Sequence, residues 1–269
     1  MLEQLEISAG GESRVFITAR TALASLTSFL LAVLLGPFAI RWLKRRFRER
    51  IASDSERLNE LHASKNATPT MGGLFILGSL ALSILLWADL TSRYVQLGLA
   101  LALGYGALGA IDDWIKLSTH RKGLTIRQKF YSQVLMGMAV SLALYYEHRN
   151  LNYGLDLWWP YGNWRVSLGW TFLIWSTLVL VSSSNAVNLT DGLDGLAAGC
   201  MVFAGSAFVA LTYLSGHSQL SSYLQIPHLV GAGEFTVVLG AMVGAVLGFL
   251  WFNSYPAEVF MGDTGSLPL

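Results

Sequence analysis

Long apolar stretches recur along this chain and constrain its fold more than any other feature. A helix needs about 20 predominantly apolar residues to cross the hydrocarbon core of a bilayer. Seven windows approach this length with charged residues only near their ends. They predict an all-α, polytopic membrane bundle with about seven spans in a single domain, 1–269. The predicted windows are 19–40, 71–88, 94–111, 132–146, 167–184, 193–214 and 235–252.

The composition agrees with a chain whose main solvent is lipid. Charged residues make up 13% of the sequence, against roughly 25% in soluble domains. The nine Trp and ten Tyr are available for the membrane interfaces. A soluble enzyme is therefore excluded, and the net charge of +1 gives no field that favours nucleic acid. The single Cys200 excludes an intramolecular disulfide and a thiolate metal cluster.

Basic residues are distributed unevenly between the two sides of the predicted bundle. Lys and Arg accumulate in the cytoplasmic loops of membrane proteins, and 13 of the 18 fall on one side of this chain. The asymmetry predicts an N-terminus outside and cytoplasmic segments at 41–69, 112–131, 185–192 and 253–269. The aromatic stretch 147–166 on the other side is interpreted as a set of interfacial anchors.

Five aspartates are predicted at the cytoplasmic ends of spans. Because charged groups near the hydrocarbon core are energetically costly, each carboxylate is expected to have a specific role. Two close the third span, two open the sixth and one follows the seventh: Asp112, Asp113, Asp191, Asp194 and Asp263. Nearby asparagines and glycines offer amide groups and close backbone approach to an oxygen-rich ligand. Oxygen donors without clustered His or Cys suit Mg²⁺ or Mn²⁺ rather than zinc, and magnesium in turn suggests phosphate chemistry.

The helix ends on the cytoplasmic side favour different charges. Spans that start there direct their N-terminal N–H groups toward the site, which favours phosphate. The segments 68–70 and 190–191 are predicted to cap the second and sixth spans. Asp112 and Asp113 are predicted at a helix C-terminus, which disfavours a charged carboxylate unless a metal ion or lysine offsets it. One of the pair is therefore a candidate proton acceptor.

Four motifs follow one another from the first cytoplasmic loop to the end of the chain. They are Lys65 with TPTMGG at 68–73, the Asp112-Asp113 pair, NAVNLTDGLDGL at 185–196, and FN at 252–253 with FMGDTGS at 260–266. In these motifs the chain resembles the phospho-N-acetylmuramoyl-pentapeptide transferases, of the polyprenyl-phosphate N-acetylhexosamine-1-phosphate transferase superfamily. The string at 185–196 is the most specific of the four.

The resemblance implies a magnesium-dependent phosphoglycosyl transferase of the bacterial cytoplasmic (inner) membrane, with its site facing the cytoplasm. Phospho-MurNAc-pentapeptide would pass from its UDP carrier to undecaprenyl phosphate, giving lipid I and UMP. The expected partners are UDP-MurNAc-pentapeptide, undecaprenyl phosphate and the lipid bilayer. A homodimer stays open, as does the choice between direct transfer and a two-step route through a covalent intermediate.

The resemblance also implies a role for each matching residue. Asp263 resembles the magnesium ligand, and Asp112 and Asp113 resemble the acidic pair near the lipid phosphate, with Asp112 as the expected proton acceptor. By the same resemblance, the residues that match the uracil pocket are Lys65, Gly192, Leu193, Asp194 and Phe260, with Phe260 stacking on the base. Those that match positions around the sugar and phosphates are Thr70, Asn188, Asp191 and Gly262. Further polar positions of the cleft match Lys116, Lys129 and Asn253.

Three alternatives remain beside this interpretation. The family fold has ten spans and a cytoplasmic histidine loop beyond the last motif, so a chain ending at Leu269 is expected to be C-terminally truncated and is, in one alternative, an inactive remnant. A related UDP-GlcNAc transferase shares the Asp pair and a similar DGxDG segment, although TPTMGG and NLTD favour the muramoyl substrate. A transporter with a carboxylate relay needs charges near the membrane midplane, whereas these acids gather at one edge.

Overall fold

A computed structural model describes residues 17–46, 68–119, 123–151, 153–159 and 164–269. Helices dominate, and the two short strands pair antiparallel as a hairpin. In chain order the elements are α1 (Ile17–Arg46), α2 (Gly73–Trp87), α3 (Arg93–Ser118), α4 (Ile126–His148), β1 (Asp156–Trp158), β2 (Arg165–Ser167), a 3-10 turn (Gly169–Thr171), α5 (Phe172–Thr190), α6 (Leu196–Gly216), α7 (Ser218–Tyr223), α8 (Ala232–Asn253) and α9 (Asp263–Ser266).

Each of the seven predicted windows coincides with a helix. By length and composition, α1, α3, α6, α8 and α5 with its preceding 3-10 turn are long and apolar enough to cross a membrane. Of the other two, α2 is apolar but has only 15 residues, about 22 Å at 1.5 Å per residue, and α4 has 23 residues with several polar side chains. The prediction of an all-α, polytopic membrane protein is confirmed.

The most buried spanning helix is α8, which packs against α1, α2 and α6. Its glycines Gly240, Gly244 and Gly248 recur every four residues and therefore lie on one face. A Cβ at any of them would collide with α1, at Thr21 or Ser25 for the first two. Because small residues let helix backbones approach closely, α1 and α8 form the tightly packed centre of the bundle.

A buried ion pair joins three helices at the end of the bundle away from α9. Arg20 on α1 donates from both terminal nitrogens to Glu234 on α8, at 2.9 and 2.8 Å, and from Nε to the carbonyl of Trp87 on α2 at 2.7 Å. The side chain of Glu234 is 3% exposed. The partly buried guanidinium thus supplies the hydrogen bonds that the buried carboxylate cannot obtain from water.

Glu234→Gln is expected to lower the free energy of unfolding by about 2 kcal/mol, because it leaves the partly buried guanidinium of Arg20 without its counter-charge. The midpoint of thermal unfolding in detergent measures this effect. Glu147→Gln is the matched control, since Glu147 pairs with Arg93 at 3.4 Å on the surface and such pairs contribute less than about 1 kcal/mol. Equal shifts in the two variants would contradict the assigned role.

The predicted cap of the sixth span at 190–191 is wrong. Helix α5 continues to Thr190, whose hydroxyl donates to the carbonyl of Ala186 at 2.8 Å inside the helix. Asp191 is the C-terminal cap of α5, and Gly195, with φ of 75°, stands before α6. A threonine hydroxyl can bond a carbonyl four residues back as well as cap a helix, so the sequence signal was ambiguous.

Candidate active site

Three aspartates from distant parts of the chain meet in one cluster. Asp112 and Asp113 lie on α3, and Asp263 begins α9. One carboxylate oxygen from each lies within 4.8 Å of those of the other two. Asp112 and Asp113 are each 3% exposed. Three carboxylates at this separation repel one another strongly unless positive charge lies between them.

Two lysines supply that charge. Lys116 Nζ lies 2.7 Å from Asp112 Oδ2, 3.0 Å from Asp263 Oδ2 and 3.7 Å from Asp113 Oδ1. Lys129 Nζ, from α4, lies 2.8 Å from Asp263 Oδ2. Lys116 follows the aspartate pair by three and four residues, so helix geometry places all three side chains on one face. The ammonium of Lys116 therefore occupies the space among the carboxylates.

The predicted position of the aspartate pair at the end of its helix is wrong. Helix α3 continues to Ser118, so Asp112 and Asp113 lie more than one turn inside it. The predicted window ended at the first charged residue, whereas the helix continues through Trp114 to Lys116 and beyond. The positive charge that faces the pair is therefore that of Lys116, and the end of the helix lies more than one turn farther along the chain.

The two acids of the pair have different partners. Asp113 holds the start of α9: its Oδ1 accepts from the amide of Asp263 at 3.2 Å, and its Oδ2 accepts from the amide and hydroxyl of Thr264 at 2.9 and 2.7 Å. Asp112 Oδ1 accepts from the amide of Leu124 at 2.7 Å, while its Oδ2 faces Lys116. Asp113 thus fixes the backbone at the start of α9, whereas Asp112 directs one carboxylate oxygen toward the ammonium of Lys116.

Asp263 is held in its ionised form. Burial alone would raise the pKa of Asp263, but a hydrogen bond with Asp112 and the charges of Lys116 and Lys129 outweigh it and hold that pKa below its usual range. Asn188 Nδ2, from α5, donates to Asp263 Oδ1 at 2.6 Å. Both oxygens of this carboxylate therefore have polar partners, with the cations on Oδ2.

Glycines allow the Asp263 segment to lie directly on two helices. A Cβ at Gly109 on α3 would overlap the backbone of Asp263, and one at Gly73 on α2 would overlap the backbone of Gly265. A side chain at either glycine would push α9 away from the aspartate pair. Gly73, Gly109 and Gly265 are thus explained by close backbone approach.

The predicted helix cap at 68–70 is also wrong. Pro69 O accepts from the amide of Phe260, and the amides of Gly72 and Gly73 donate to the carbonyls of Phe260 and Met261, all at 2.9 Å. Main-chain partners thus replace the expected capping hydroxyl, and α2 begins at Gly73 without a side-chain cap. This pairing brings the first motif against the last.

Thr70 and Gly262 lie beside the cluster because of that pairing. A Cβ added to Gly262 would come within 2.7 Å of Asp113 Oδ2 and 2.9 Å of Thr70 Oγ1. Gly262 has φ of 71°, a conformation that favours glycine. Thr70 itself is 3% exposed. The backbone conformation and the tight space together account for glycine before Asp263.

A second group of predicted site residues forms where the α5–α6 loop meets the segment after α8. Asn253 accepts from the amide of Gly195 at 3.0 Å and donates to the carbonyl of Val259 at 2.9 Å. Asp194 Oδ2 accepts from the amide of Ala257 at 3.2 Å. Asn253 and Asp194 therefore fix the loop to the segment that leads to Phe260 and Asp263.

The remaining predicted residues have less contact with the cluster. Gly192 and Leu193 are exposed at the turn between α5 and α6, and the space around Gly192 is open. Asp191 and Phe260 are half-buried. Lys65 lies outside the described residues. The described residues thus include the whole carboxylate cluster. They include only some of the residues predicted to bind uracil, and two of these, Gly192 and Leu193, are exposed.

The carboxylate cluster fits a hard divalent cation. Its possible ligands are carboxylate oxygens, which Mg²⁺ prefers, and Asp112, Asp113 and Asp263 could together hold a metal ion. The place already stabilises positive charge, since the ammonium of Lys116 contacts all three acids. The donor chemistry and the charge distribution therefore agree with the expected cofactor.

Sequence analysis missed two buried polar side chains next to the cluster. Gln133 on α4 and Ser184 on α5 are 1% and 4% exposed and hydrogen bond to each other at 3.3 Å. Both fall within or at the end of predicted apolar windows. A glutamine inside an apolar span is itself a signal, because buried polar groups in a membrane need specific partners.

Comparisons with known proteins agree with the residues of the site. The chain matches the family described as glycosyl transferase family 4 over residues 95–269. Several curated relatives are named phospho-N-acetylmuramoyl-pentapeptide-transferase. The one from Oleidesulfovibrio alaskensis is 46% identical over 94% of this chain and 70% of the relative. The one from Pelobacter propionicus is 44% identical over 100% of this chain and 76% of the relative. A third, from Nitratidesulfovibrio vulgaris, is 47% identical over 94% and 70%. The chain therefore belongs to the family of the phospho-N-acetylmuramoyl-pentapeptide-transferases.

Proposed function

We propose that this chain transfers phospho-MurNAc-pentapeptide from its UDP carrier to undecaprenyl phosphate, which yields lipid I and UMP for peptidoglycan synthesis. One observation carries the proposal: relatives of that name are 44–47% identical along nearly the whole chain. The clustering of Asp112, Asp113 and Asp263 from separate motifs supports it. The same names favour the muramoyl donor over UDP-GlcNAc.

The reaction would take place at the cytoplasmic face of the bacterial inner membrane. The cluster lies where α2 begins and α8 has ended, at the end of the bundle opposite the Arg20–Glu234 pair. The loops assigned to this side carry 13 of the 18 Lys and Arg residues, which supports an orientation with the N-terminus outside. A UDP-linked donor would reach the site from the cytoplasm while the prenyl chain stays in lipid.

The central electrostatic difficulty is that a phosphate anion must approach an anionic diphosphate. Lys116 and Lys129 are the cations that would contact these phosphates, because the ammonium of Lys116 lies among the three carboxylates and that of Lys129 contacts Asp263. Asp263 would hold the magnesium ion, with Asp112 and Asp113 beside it. When bound, that ion supplies positive charge that neutralises the diphosphate and the departing UMP.

Asp112 is the candidate proton acceptor of the pair. Asp113 already accepts three hydrogen bonds from the start of α9, whereas Asp112 Oδ2 faces the lysine side of the cluster. In its ionised form, Asp112 would remove a proton from the lipid phosphate. The freed oxygen then forms a bond to the phosphorus that carries the sugar, and the bond from that phosphorus to the bridging oxygen breaks with release of UMP.

A covalent two-step route would use the same residues, with a carboxylate as the first acceptor. Exchange of labelled UMP into the UDP-sugar distinguishes the routes. Exchange in the absence of any polyprenyl phosphate requires a covalent intermediate and would overturn the direct route. We expect no exchange until undecaprenyl phosphate is added.

The function is tested with the purified chain in detergent, magnesium, undecaprenyl phosphate and either UDP-MurNAc-pentapeptide or UDP-GlcNAc. We expect lipid-linked product and UMP only with the muramoyl donor. Product from UDP-GlcNAc alone would support the related transferase instead. If a longer relative is active in the same assay and this chain gives no product, the inactive remnant is the correct interpretation.

A further inference from the structure

A second polar layer lies one helical turn deeper in the bundle than the carboxylate cluster, and Gln133 is at its centre. Gln133 Oε1 accepts from Asn185 Nδ2 at 2.9 Å, and its Nε2 donates to Ser184 Oγ at 3.3 Å. The hydroxyl of Tyr105 donates to its main-chain carbonyl at 3.0 Å. Ser184 Oγ in turn donates to the carbonyl of Leu267 at 2.7 Å. These five residues form the polar layer.

The spacing of the layer links it to two residues that contact Asp263. Gln133 follows Lys129 by four residues on α4, and Ser184 precedes Asn188 by four on α5. Residues four apart lie above one another on one face of a helix. The hydrogen bond between Gln133 and Ser184 therefore fixes the axial register of the helix that carries Lys129 against the helix that carries Asn188.

The layer also reaches the two other elements of the site. Leu267 follows Asp263 by four residues, and its carbonyl is held by Ser184. Tyr105 lies two turns before Asp112 on α3. Thus α3, α4, α5 and the segment 263–267 each carry at least one residue of the site and at least one residue of the layer beneath it. The site residues are Asp112 and Asp113, Lys129, Asn188 and Asp263, respectively.

We propose that Gln133 is a positioning residue of the transferase site: by bonding Ser184 and Asn185 it sets the distance between Lys129 and Asn188, which hold the two oxygens of Asp263. The proposal rests on the function proposed above. The amide of Gln133 is almost completely buried, and leaving such a group without partners is costly. Only one register of α4 against α5 satisfies both ends of the amide.

The same pair of helices contains a matched control. Thr177 on α5 donates to Ser141 on α4 at 3.1 Å, and both are buried, at 6% and 0% exposed. Ser141 lies eight residues beyond Gln133 on α4. This hydrogen bond therefore joins α4 and α5 about two turns farther from the cluster, away from the residues that contact Asp263.

The first measurement compares turnover of Gln133→Met with that of Thr177→Val. Methionine keeps the size of the side chain and removes both hydrogen bonds. We expect kcat to fall about 10- to 100-fold in Gln133→Met, the usual cost of misplacing a catalytic group, with KM for the UDP-sugar within about 2-fold. Thr177→Val is expected to lower the thermal midpoint similarly and to keep kcat.

The second measurement does not depend on activity. Spin labels at Ile126 and Leu189, which are 89% and 84% exposed, report the distance between α4 and α5 near the cluster, in a chain with Cys200→Ser. We expect Gln133→Met to broaden the distance distribution and Thr177→Val to leave it narrow. If the unlabelled chain were inactive, this result would still test the positioning role separately from the function.

Several results would overturn the proposal. They are an unchanged distance distribution in Gln133→Met, equal broadening in Thr177→Val, or a kcat per folded molecule in Gln133→Met equal to that of the unmodified chain. If Gln133→Met fails to fold, Ser184→Ala takes its place. It removes the hydrogen bond between Gln133 and Ser184, together with that from Ser184 to the carbonyl of Leu267, with a small change in volume. The same outcomes then apply to it.

Discussion

Asp263→Asn is expected to lower turnover by about 10³-fold while the chain stays folded. The substitution keeps the shape of the side chain and removes the charge that faces Lys116 and Lys129 at 3.0 and 2.8 Å. It also removes the proposed magnesium ligand. The measurement is kcat at saturating UDP-MurNAc-pentapeptide, together with the magnesium concentration that gives half-maximal rate.

The control for Asp263→Asn is Asp89→Asn at the other end of the bundle, where Asp89 bonds the amide and hydroxyl of Thr91 at 2.9 and 2.7 Å. We expect full turnover in that variant. Turnover of Asp263→Asn within about 10-fold of the unmodified chain, at the same magnesium requirement, would remove Asp263 from the proposed chemistry.

Substitution of the neighbouring acids is expected to separate two roles. Asp113→Asn removes a charged acceptor of three hydrogen bonds at the start of α9. We expect it to cost about 2 to 3 kcal/mol of stability and at least about 10²-fold in turnover, since Asp263 loses its support. Asp112→Asn is expected to lower turnover by about 10²-fold or more through loss of the base, with little change in stability.

Both variants are measured for thermal midpoint and for kcat in the same detergent. The comparison is matched because the two acids are adjacent, equally buried and changed in the same way. Loss of stability in Asp112→Asn with none in Asp113→Asn would reverse the assignment. Near-normal turnover in Asp112→Asn would show that another group accepts the proton.

The helical architecture could be predicted from the sequence because its cause is local. Twenty apolar residues can span lipid whatever their neighbours are, so all seven windows coincide with helices. Their ends were less accurate because the windows stop at polar residues. The polar string from Asn185 to Thr190 remains helical, and it places Asn185 and Asn188 within one turn, toward the polar layer and the cluster.

The details of the site depend on contacts between distant segments, which no local pattern encodes. The spacing on α3 could predict that Lys116 lies on the same helix face as the aspartate pair. It could not predict that Lys116 also contacts a third carboxylate, because Asp263 is 147 residues away in sequence. The pairing of Pro69 with Phe260 joins positions that are even farther apart in sequence. Gln133 was overlooked because a window average hides one polar residue among apolar neighbours.

The glycine column of α8 has a consequence for biosynthesis in the membrane. Membrane helices enter the bilayer in the order of synthesis, yet the glycine face against which α1 packs belongs to α8, more than 200 residues later. Asp113 likewise accepts a hydrogen bond from the amide of Asp263, which is synthesised 150 residues later. The contact between α1 and α8 therefore forms only after α8 has been synthesised, and the carboxylate cluster is complete only after translation has passed Asp263.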